Sequence, residues 1–443
     1  APYQATLEMF RAHGIPERGP LSASVPGVVD GWFAVHERYA TLPMATLLEP
    51  AIEYAEHGFP VSARLSQAIH EGQALLAQFP GSAKQFLKDG RPYRPGEKLV
   101  QHDTGRTLRH LAEGGREAFY NGPVAESIWR WSQREGALFG LRDFAEFQGE
   151  VLQPVTTTYR GATICENPPT SQGYLILQAL NLLEAHGLAA LGPGHPRAIH
   201  LQVEALRLAM TDRHAYAGDP RFVENHFGTL LSKSYARRRG ADLNPERAST
   251  AVRAGPVRGG DTTYFCVVDR HGNAVSWMQS LFASFGSGVV VPGCGVVLNN
   301  RLTGFSTDPN SPNVIAPGKR TMHTLNTYIV LRDGLPAFVG GSPGGMFQVQ
   351  TNLQVLSYLL DHGLDVQTAI EAPRWNWNGD VDLGIENRVG AETIQELVDR
   401  GYRAVPIGPW AASGRVQAIQ VDREHGCLIG GADPRAEGVA LGY

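Results

Sequence analysis

The sequence has few cysteines, few charged residues and no long apolar run. Its 443 residues include only Cys165, Cys266, Cys294 and Cys427, without C-x-x-C spacing, which favours free core thiols over a disulfide framework or a metal site. Charged residues make up 19% of the chain, and 39 basic against 43 acidic residues give a net charge of −4 without a basic run. This balance disfavours nucleic acid or an anionic membrane as the main partner. No apolar stretch approaches the ~18 residues that indicate a membrane-spanning helix.

A strand–turn–strand pattern stands out in the remaining, ordinary globular composition. It begins at Gly259-Gly260-Asp261-Thr262-Thr263, and residues 264–269 are rich in aromatic and β-branched side chains, which favours a buried strand. Residues 269–273 predict a hairpin turn, and 274–281 predict the returning strand.

A threonine at the head of a strand can have a chemical role. If the peptide bond before Thr262 is cut, its hydroxyl and its new α-amine belong to one residue. An α-amine titrates near ~8, so it can accept the hydroxyl proton at neutral pH. These residues alone favour the simpler interpretation, a plain hairpin in which threonine serves β-propensity.

The rest of the chain predicts helices on both sides of a block of strands, which indicates an α+β fold with helix layers over sheets. A loop over 248–259 is long for a plain connection, and a self-cleaving precursor would need such a mobile segment before its nucleophile. The main predicted elements are a mostly helical region over 1–150 with a helix from Pro50 to Gly58, an amphipathic helix over 173–186, a helix over 200–216, strands at 155–160, 325–332 and 337–340, and a helix over 347–362.

Short motifs in a fixed order add a second source of inference. They are Ser24-Val25-Pro26-Gly27, Asp212-Arg213, Phe285-Gly286-Ser287-Gly288, Leu298-Asn299-Asn300-Arg301, Pro317-Gly318-Lys319-Arg320 and Gly340-Gly341-Ser342-Pro343-Gly344-Gly345. In this order and spacing the chain resembles the γ-glutamyltranspeptidase family of N-terminal nucleophile hydrolases over nearly its whole length. The resemblance implies a four-layer αββα sandwich that cleaves itself and needs no metal or organic cofactor.

The resemblance also implies roles for particular residues. Its register makes Thr262 the nucleophile, places Ser280 where a hydroxyl hydrogen-bonds that nucleophile, and makes Gly344 and Gly345 the oxyanion-hole glycines. A plain strand serine and a plain turn are the alternatives. Cleavage between Asp261 and Thr262 would give parts 1–261 and 262–443, intertwined in one domain as a heterodimer, with further dimerisation left open.

Several positions depart from the pattern of the glutathione-processing members. Phe282 replaces an asparagine that helps to hold the glutamyl head, Gly304 replaces the aspartate that pairs with the α-ammonium, and Arg301 replaces a neighbouring glutamine. His323-Thr324 replace two serines that close over the glutamyl carboxylate. Arg301 adds a cation, and Gly304 removes the acidic partner of an α-ammonium group. This combination favours an acyl group that ends in a bare carboxylate. A surface ion pair is the alternative for Arg301.

These features predict an autoprocessed amidohydrolase or acyltransferase that acts on a small amide, in the branch of oxamate amidohydrolases and cephalosporin acylases. A true glutathione hydrolase and an unprocessed paralogue that only binds ligands are the alternatives. The chain begins without Met, and in the family a segment with a substrate-binding arginine precedes this point, so we expect a fragment. The compartment is left open between cytoplasm and periplasm, with the cytoplasm preferred.

Overall fold

The computed structural model describes residues 1–224, 226–249 and 261–443. The chain divides into two compact units, Ala1–Leu152 with Leu281–Thr321, and Gln153–Ser280 with Met322–Tyr443. Each unit therefore takes chain from both sides of Thr262. The predicted division at 261/262 concerns cleavage rather than packing, and it stays a prediction.

Helices and strands fill most of the described residues. The helices are α1 (Leu7–Arg11), α2 (Val28–Tyr39), α3 (Met44–His57), α4 (Ala63–Leu76), α5 (Pro80–Phe86), α6 (His102–Tyr120), α7 (Pro123–Glu135), α8 (Leu141–Ala145), α9 (Tyr174–Leu183), α10 (Pro196–Tyr216), α11 (Phe227–Leu230), α12 (Lys233–Arg239), α13 (Gln348–Leu360), α14 (Val366–Glu371) and α15 (Ala391–Asp399). The strands are β1 (Phe59–Pro60), β2 (Leu87–Lys88), β3 (Arg91–Pro92), β4 (Lys98–Leu99), β5 (Val155–Tyr159), β6 (Ala162–Glu166), β7 (Asp261–Val268), β8 (Ala274–Phe282), β9 (Thr327–Arg332), β10 (Leu335–Gly341), β11 (Trp375–Gly379), β12 (Asp382–Glu386), β13 (Arg403–Ile407), β14 (Gln417–Asp422) and β15 (Cys427–Ala432). Within the described part of the chain, no helix has the length and apolar character needed to cross a bilayer.

The first unit is mainly helical, as predicted for residues 1–150. Helix α6 packs against α2, α3 and α7. Helix α3 was predicted to start near Pro50. That start is wrong, because α3 begins at Met44 and has Pro50 in its interior. The residues before the proline include Met, Ala and Leu, which favour a helix strongly enough to extend it across the one missing N–H. The helix ends before Gly58, as predicted.

The second unit contains a six-stranded antiparallel sheet with the strand order β15-β14-β10-β9-β6-β5. Helices α9 and α13 pack against this sheet, and α9 also packs against α10. The helix predicted over 173–186 is confirmed as α9 (Tyr174–Leu183) with the 3₁₀ turn Glu184–His186 after it. Its predicted amphipathic character is wrong, because every residue of α9 is buried. Its polar positions Gln178 and Asn181 find buried partners in Asp212 and Thr157 rather than water.

The predicted hairpin is confirmed as strands β7 and β8, joined by a turn at Asp269. The Asp269 carboxylate accepts the backbone N–H groups of His271 and Asn273 at 2.8 and 2.9 Å, which closes the turn. Strand β7 packs against β10 and β14, and a Cβ at Gly341 would lie only 2.6 Å from the Tyr264 ring. The absent side chain at Gly341 therefore lets β7 lie close on the sheet.

The four cysteines are all free thiols. Cys294 is buried, and Cys165 and Cys266 are partly buried. The prediction of a core position is wrong for Cys427, which is exposed in the first position of strand β15. The sheet ends at that strand, so its side chains have solvent on one side.

Glu166, the last residue of β6, is only 1% exposed. Burial raises the pKa of its carboxyl well above the usual value, opposed in part by the Asn167 backbone N–H. Below the unfolded pKa of ~4.3 the group is neutral in both states, and as pH rises the folded state retains a proton that the unfolded state has lost. Wild-type stability should therefore fall relative to Glu166→Gln, by up to ~1.4 kcal/mol per pH unit, until the pH passes the folded pKa.

Urea unfolding from pH 4 to pH 8 measures this difference, with Thr262→Ala in both proteins so that the predicted cleavage cannot occur. The pKa shift would be contradicted if the free energies of unfolding of Glu166→Gln and of the protein with Glu166 differed by the same amount at every pH.

Candidate active site

Thr262 and Ser280 come together on the hairpin of the second unit. The Thr262 hydroxyl donates a hydrogen bond to the Ser280 hydroxyl, with the two oxygens 3.0 Å apart. Thr262 lies near the start of β7 and Ser280 near the end of β8, so strand pairing brings together two residues that are 18 positions apart. This is the geometry that the resemblance implies for a nucleophile and its hydroxyl partner.

Gln348 is a contact of Thr262 that the sequence analysis missed. It is the first residue of α13 and is fully buried. Its side-chain Nε2 donates to the Thr262 hydroxyl oxygen at 3.4 Å. Nothing in the sequence separates it from Gln350 and Gln354, the other glutamines of the same helix.

The glycine turn before α13 presents two oriented backbone N–H groups. Gly344 and Gly345 have φ values of 139° and 59°, which strain any residue with a side chain. The Ser342 hydroxyl donates to the Pro343 carbonyl at 2.8 Å, and the Phe347 N–H donates to the Gly344 carbonyl at 3.1 Å.

In a planar trans peptide the N–H points opposite to the carbonyl, so these two bonds also fix the directions of the Gly344 and Gly345 N–H groups. Among residues 1–224, 226–249 and 261–443, neither N–H donates a hydrogen bond within the protein. Two fixed, unshielded donors are what a developing oxyanion requires.

The segment that carries His323 and Thr324 also lies in the second unit. The His323 N–H donates to the Thr170 carbonyl at 3.0 Å. Thr324 is buried, and its carbonyl accepts from Gln172 Nε2 at 3.3 Å and from Asn326 Nδ2 at 2.8 Å. These bonds hold the segment in place. Its role in substrate binding stays a prediction.

Arg301, Phe282 and Gly304 form a separate group in the first unit. The Arg301 guanidinium lies over the Phe282 ring, with Cζ 4.7 Å from the ring centroid. Phe282 has a φ of 83°, an unusual conformation for a side-chain-bearing residue and one that concentrates at functional sites. Arg301 begins the 3₁₀ turn Arg301–Gly304, and the Gly304 carbonyl accepts from Asn313 Nδ2 at 2.7 Å.

The Arg301 side chain is buried, and it has no anionic partner among the residues that the structure describes. The residue is 9% exposed, and burial lowers its pKa to about 10, which leaves it cationic at neutral pH. Its Nη2 is buried without a hydrogen-bond partner among the described residues, and no carboxylate of that part of the chain forms an ion pair with it. The surface ion pair considered as the alternative is therefore absent from the described part of the protein.

The site residues thus fall into two groups, each described within its own unit. Thr262, Ser280, Gly344, Gly345, His323 and Thr324 belong to the second unit, and Phe282, Arg301 and Gly304 belong to the first. Asp261 begins β7. Gly259, Gly260 and most of the predicted loop over 248–259 lie outside the described residues.

Removal of the Ser280 hydroxyl is expected to slow the predicted reactions of Thr262 without unfolding the protein. Ser280→Ala removes the acceptor of the hydrogen bond that the Thr262 hydroxyl donates, worth about 0.5–1.5 kcal/mol, so self-cleavage and turnover should slow roughly three- to tenfold. Timed gel analysis and initial rates measure the two steps. Unchanged rates would make Ser280 an ordinary strand serine.

Comparison with known proteins identifies the family to which this chain belongs. A sequence model described as Gamma-glutamyltranspeptidase matches residues 1–443. The Glutathione hydrolase-like YwrD proenzyme of Bacillus subtilis (strain 168) is 40% identical over 435 residues, which cover 97% of this chain and 82% of that protein. The Acylase ACY 1 proenzyme of Pseudomonas sp. (strain SE83) is 37% identical over 458 residues, which cover 100% and 81%.

A solved structure of a related protein has the same fold as this chain. The crystal structure of cephalosporin acylase from Bacillus halodurans superimposes with a TM-score of 0.92 at 34% identity, over 100% of this chain and 84% of that one. This match confirms the predicted α+β fold of the N-terminal nucleophile hydrolase type. The chain belongs to the gamma-glutamyltranspeptidase family, whose members are autoprocessed amidohydrolases and acyltransferases.

Proposed function

We propose that this member of the family hydrolyses small amides whose acyl group ends in a carboxylate and lacks an α-ammonium group. Oxamate is the smallest such substrate, and a glutaryl amide is a longer one. The observation that carries the proposal is the buried Arg301 guanidinium, which has no anionic partner among the described residues.

Maturation is the first step of the proposed mechanism. The Thr262 hydroxyl attacks the Asp261 carbonyl, the acyl group moves from nitrogen to oxygen, and water hydrolyses the resulting ester. The products are residues 1–261 with a new carboxylate and residues 262–443 with a free α-amine on Thr262. We propose that the two pieces stay together as a heterodimer, since each compact unit contains chain from both.

Turnover then uses the same hydroxyl. The Thr262 α-amine accepts the hydroxyl proton while the oxygen attacks the amide carbonyl of the substrate. The Gly344 and Gly345 N–H groups stabilise the oxyanion, and the proton passes to the departing amine or ammonia. Water then attacks the threonine ester and releases the acyl group as a carboxylic acid.

The charge of Arg301 supports the proposed preference for an acyl group that ends in a carboxylate. A buried guanidinium without a counter-ion is costly, and a substrate carboxylate would supply the missing charge and accept hydrogen bonds from its fork. The position where family members that process glutathione carry an aspartate is Gly304, which offers no charge to an α-ammonium group. A γ-glutamyl substrate would therefore lose a charge-assisted hydrogen bond of about 1.5–3 kcal/mol.

A matched substrate series tests the proposal. Pentanoyl, glutaryl and γ-glutamyl amides of one amine differ stepwise by a terminal carboxylate and then by an α-ammonium group. We expect full-length protein to cleave the glutaryl amide with a kcat/KM roughly ten- to a hundredfold above the other two, and to release ammonia from oxamate. A preference for the γ-glutamyl amide would instead establish a glutathione hydrolase.

A further inference from the structure

We infer that Gln348 is a further catalytic residue, which donates a hydrogen bond to the nucleophile oxygen and stabilises negative charge there as Thr262 loses its proton. The inference rests on the proposed role of Thr262. It adds a donor to the nucleophile itself, separate from the glycine N–H groups that serve the carbonyl oxygen of the substrate.

The orientation of the Gln348 amide follows from its neighbours. Asn326 Nδ2 donates to the Thr324 backbone carbonyl at 2.8 Å, and a carbonyl can only accept, so the NH₂ end of Asn326 is fixed at that side. The same NH₂ group donates to Gln348 Oε1 at 3.1 Å. The Gln348 NH₂ group must then face the other way, where the Thr262 oxygen lies 3.4 Å from Nε2.

The chain of amides continues away from the site and is completely buried. Asn352, one helical turn after Gln348 on α13, donates from Nδ2 to Asn326 Oδ1 at 2.9 Å. Asn326, Gln348 and Asn352 each have no exposed surface. Because buried amides with fixed partners cannot turn freely, the donor at Thr262 is held ready before any reaction begins.

The contacts of the Thr262 oxygen suit a nucleophile. A hydroxyl has one proton and two lone pairs, and here the proton is directed to Ser280 while one lone pair accepts from Gln348. The second lone pair is left for attack on a carbonyl carbon. When the proton leaves for the α-amine, the amide remains a neutral donor and strengthens its bond to the more negative oxygen.

Another glutamine of the same helix has a structural role and provides a control. Gln350 Nε2 donates to the Trp377 carbonyl at 2.9 Å, and its Oε1 accepts from the Trp377 N–H at 2.8 Å. Gln350 thus holds a strand of the three-stranded sheet β11-β12-β13 through its backbone. Gln348 and Gln350 are both buried glutamines in the first turn of α13, but only Gln348 contacts Thr262.

The test compares Gln348→Met with Gln350→Met in the full-length protein. We expect Gln348→Met to slow self-cleavage and to lower kcat about three- to tenfold with little change in KM, as for loss of one hydrogen bond. Gln350→Met should lower the unfolding temperature but keep the kcat of the folded fraction. Equal losses of kcat in both variants, or wild-type kcat in Gln348→Met, would overturn the inference.

Gln348→Glu gives a readout that a structural role would not move. A protonated carboxyl can donate to the Thr262 oxygen as the amide does, whereas a carboxylate cannot donate and opposes charge on that oxygen. The kcat of Gln348→Glu relative to wild type should therefore fall as pH rises, and a ratio that is flat with pH would overturn the inference. Thr262→Ala separates this inference from the proposed function. If Thr262→Ala is inactive, the proposed function stands even when the Gln348 variants overturn the role of Gln348. An active Thr262→Ala would contradict the proposed function itself.

Discussion

Thr262→Ala is expected to stay in one piece and to hydrolyse no amide. The alanine has no hydroxyl, so neither the attack on the Asp261 carbonyl nor the attack on a substrate can occur. Because one residue supplies both the nucleophile and, after cleavage, the base, its loss removes both functions together. A denaturing gel and a sensitive assay for amine release measure the two effects, and activity should fall to the background.

Thr263→Ala is the matched control for this variant. Thr263 is the next residue of β7 and has the same side chain, but Thr262 is the one whose hydroxyl lies 3.0 Å from Ser280. Thr263→Ala should therefore still cleave and turn over. If Thr263→Ala blocks cleavage and Thr262→Ala does not, the register of the nucleophile is wrong by one residue.

Arg301→Gln is expected to have the second-largest effect, confined to acidic substrates. The change removes the buried cation and keeps a side chain that can donate hydrogen bonds. Loss of a charge-assisted contact of about 1.5–3 kcal/mol should reduce kcat/KM for oxamate and glutaryl amides roughly ten- to a hundredfold. The pentanoyl amide, which has no carboxylate, should change little. The ratio of glutaryl to pentanoyl kcat/KM in each variant is the quantity to measure.

Arg18→Gln controls for the loss of an arginine elsewhere in the same unit. Arg18 donates to the backbone carbonyls of Ser284 and Gly286, both acceptors in a neighbouring loop rather than anions. Its removal should affect stability while the substrate ratio stays near that of wild type. A ratio that is unchanged in Arg301→Gln, with glutathione as the best substrate, would contradict the acidic-acyl proposal.

The hairpin and its site could be predicted because their signals are local. Glycines, a β-branched run and an Asp-x-x-Gly-Asn turn follow one another in the sequence, and strand pairing then brings Ser280 to Thr262. Gln348 was missed for the opposite reason. Its orientation depends on Asn326, which lies 22 residues earlier, and on the backbone carbonyl of Thr324, so no local pattern marks it.

Burial also escaped prediction where polar residues have internal partners. The helix over 173–186 was predicted to be amphipathic, but within α9 Asn181 accepts from the Thr157 hydroxyl at 2.6 Å and donates to the Leu231 carbonyl at 2.9 Å inside the protein. Hydrophobic periodicity cannot distinguish a polar face in water from one whose polar groups are satisfied internally. For the same reason the sequence could not show whether Arg301 is buried or lies in a surface ion pair, and the structure shows that it is buried.

The measurement that tests the central claim most directly is the intact mass and N-terminal sequence of the purified wild-type full-length protein. Cleavage before Thr262 predicts two chains, with the second beginning at Thr262. A single uncleaved chain that nevertheless hydrolyses amides, or a second chain that begins at any other residue, would contradict it.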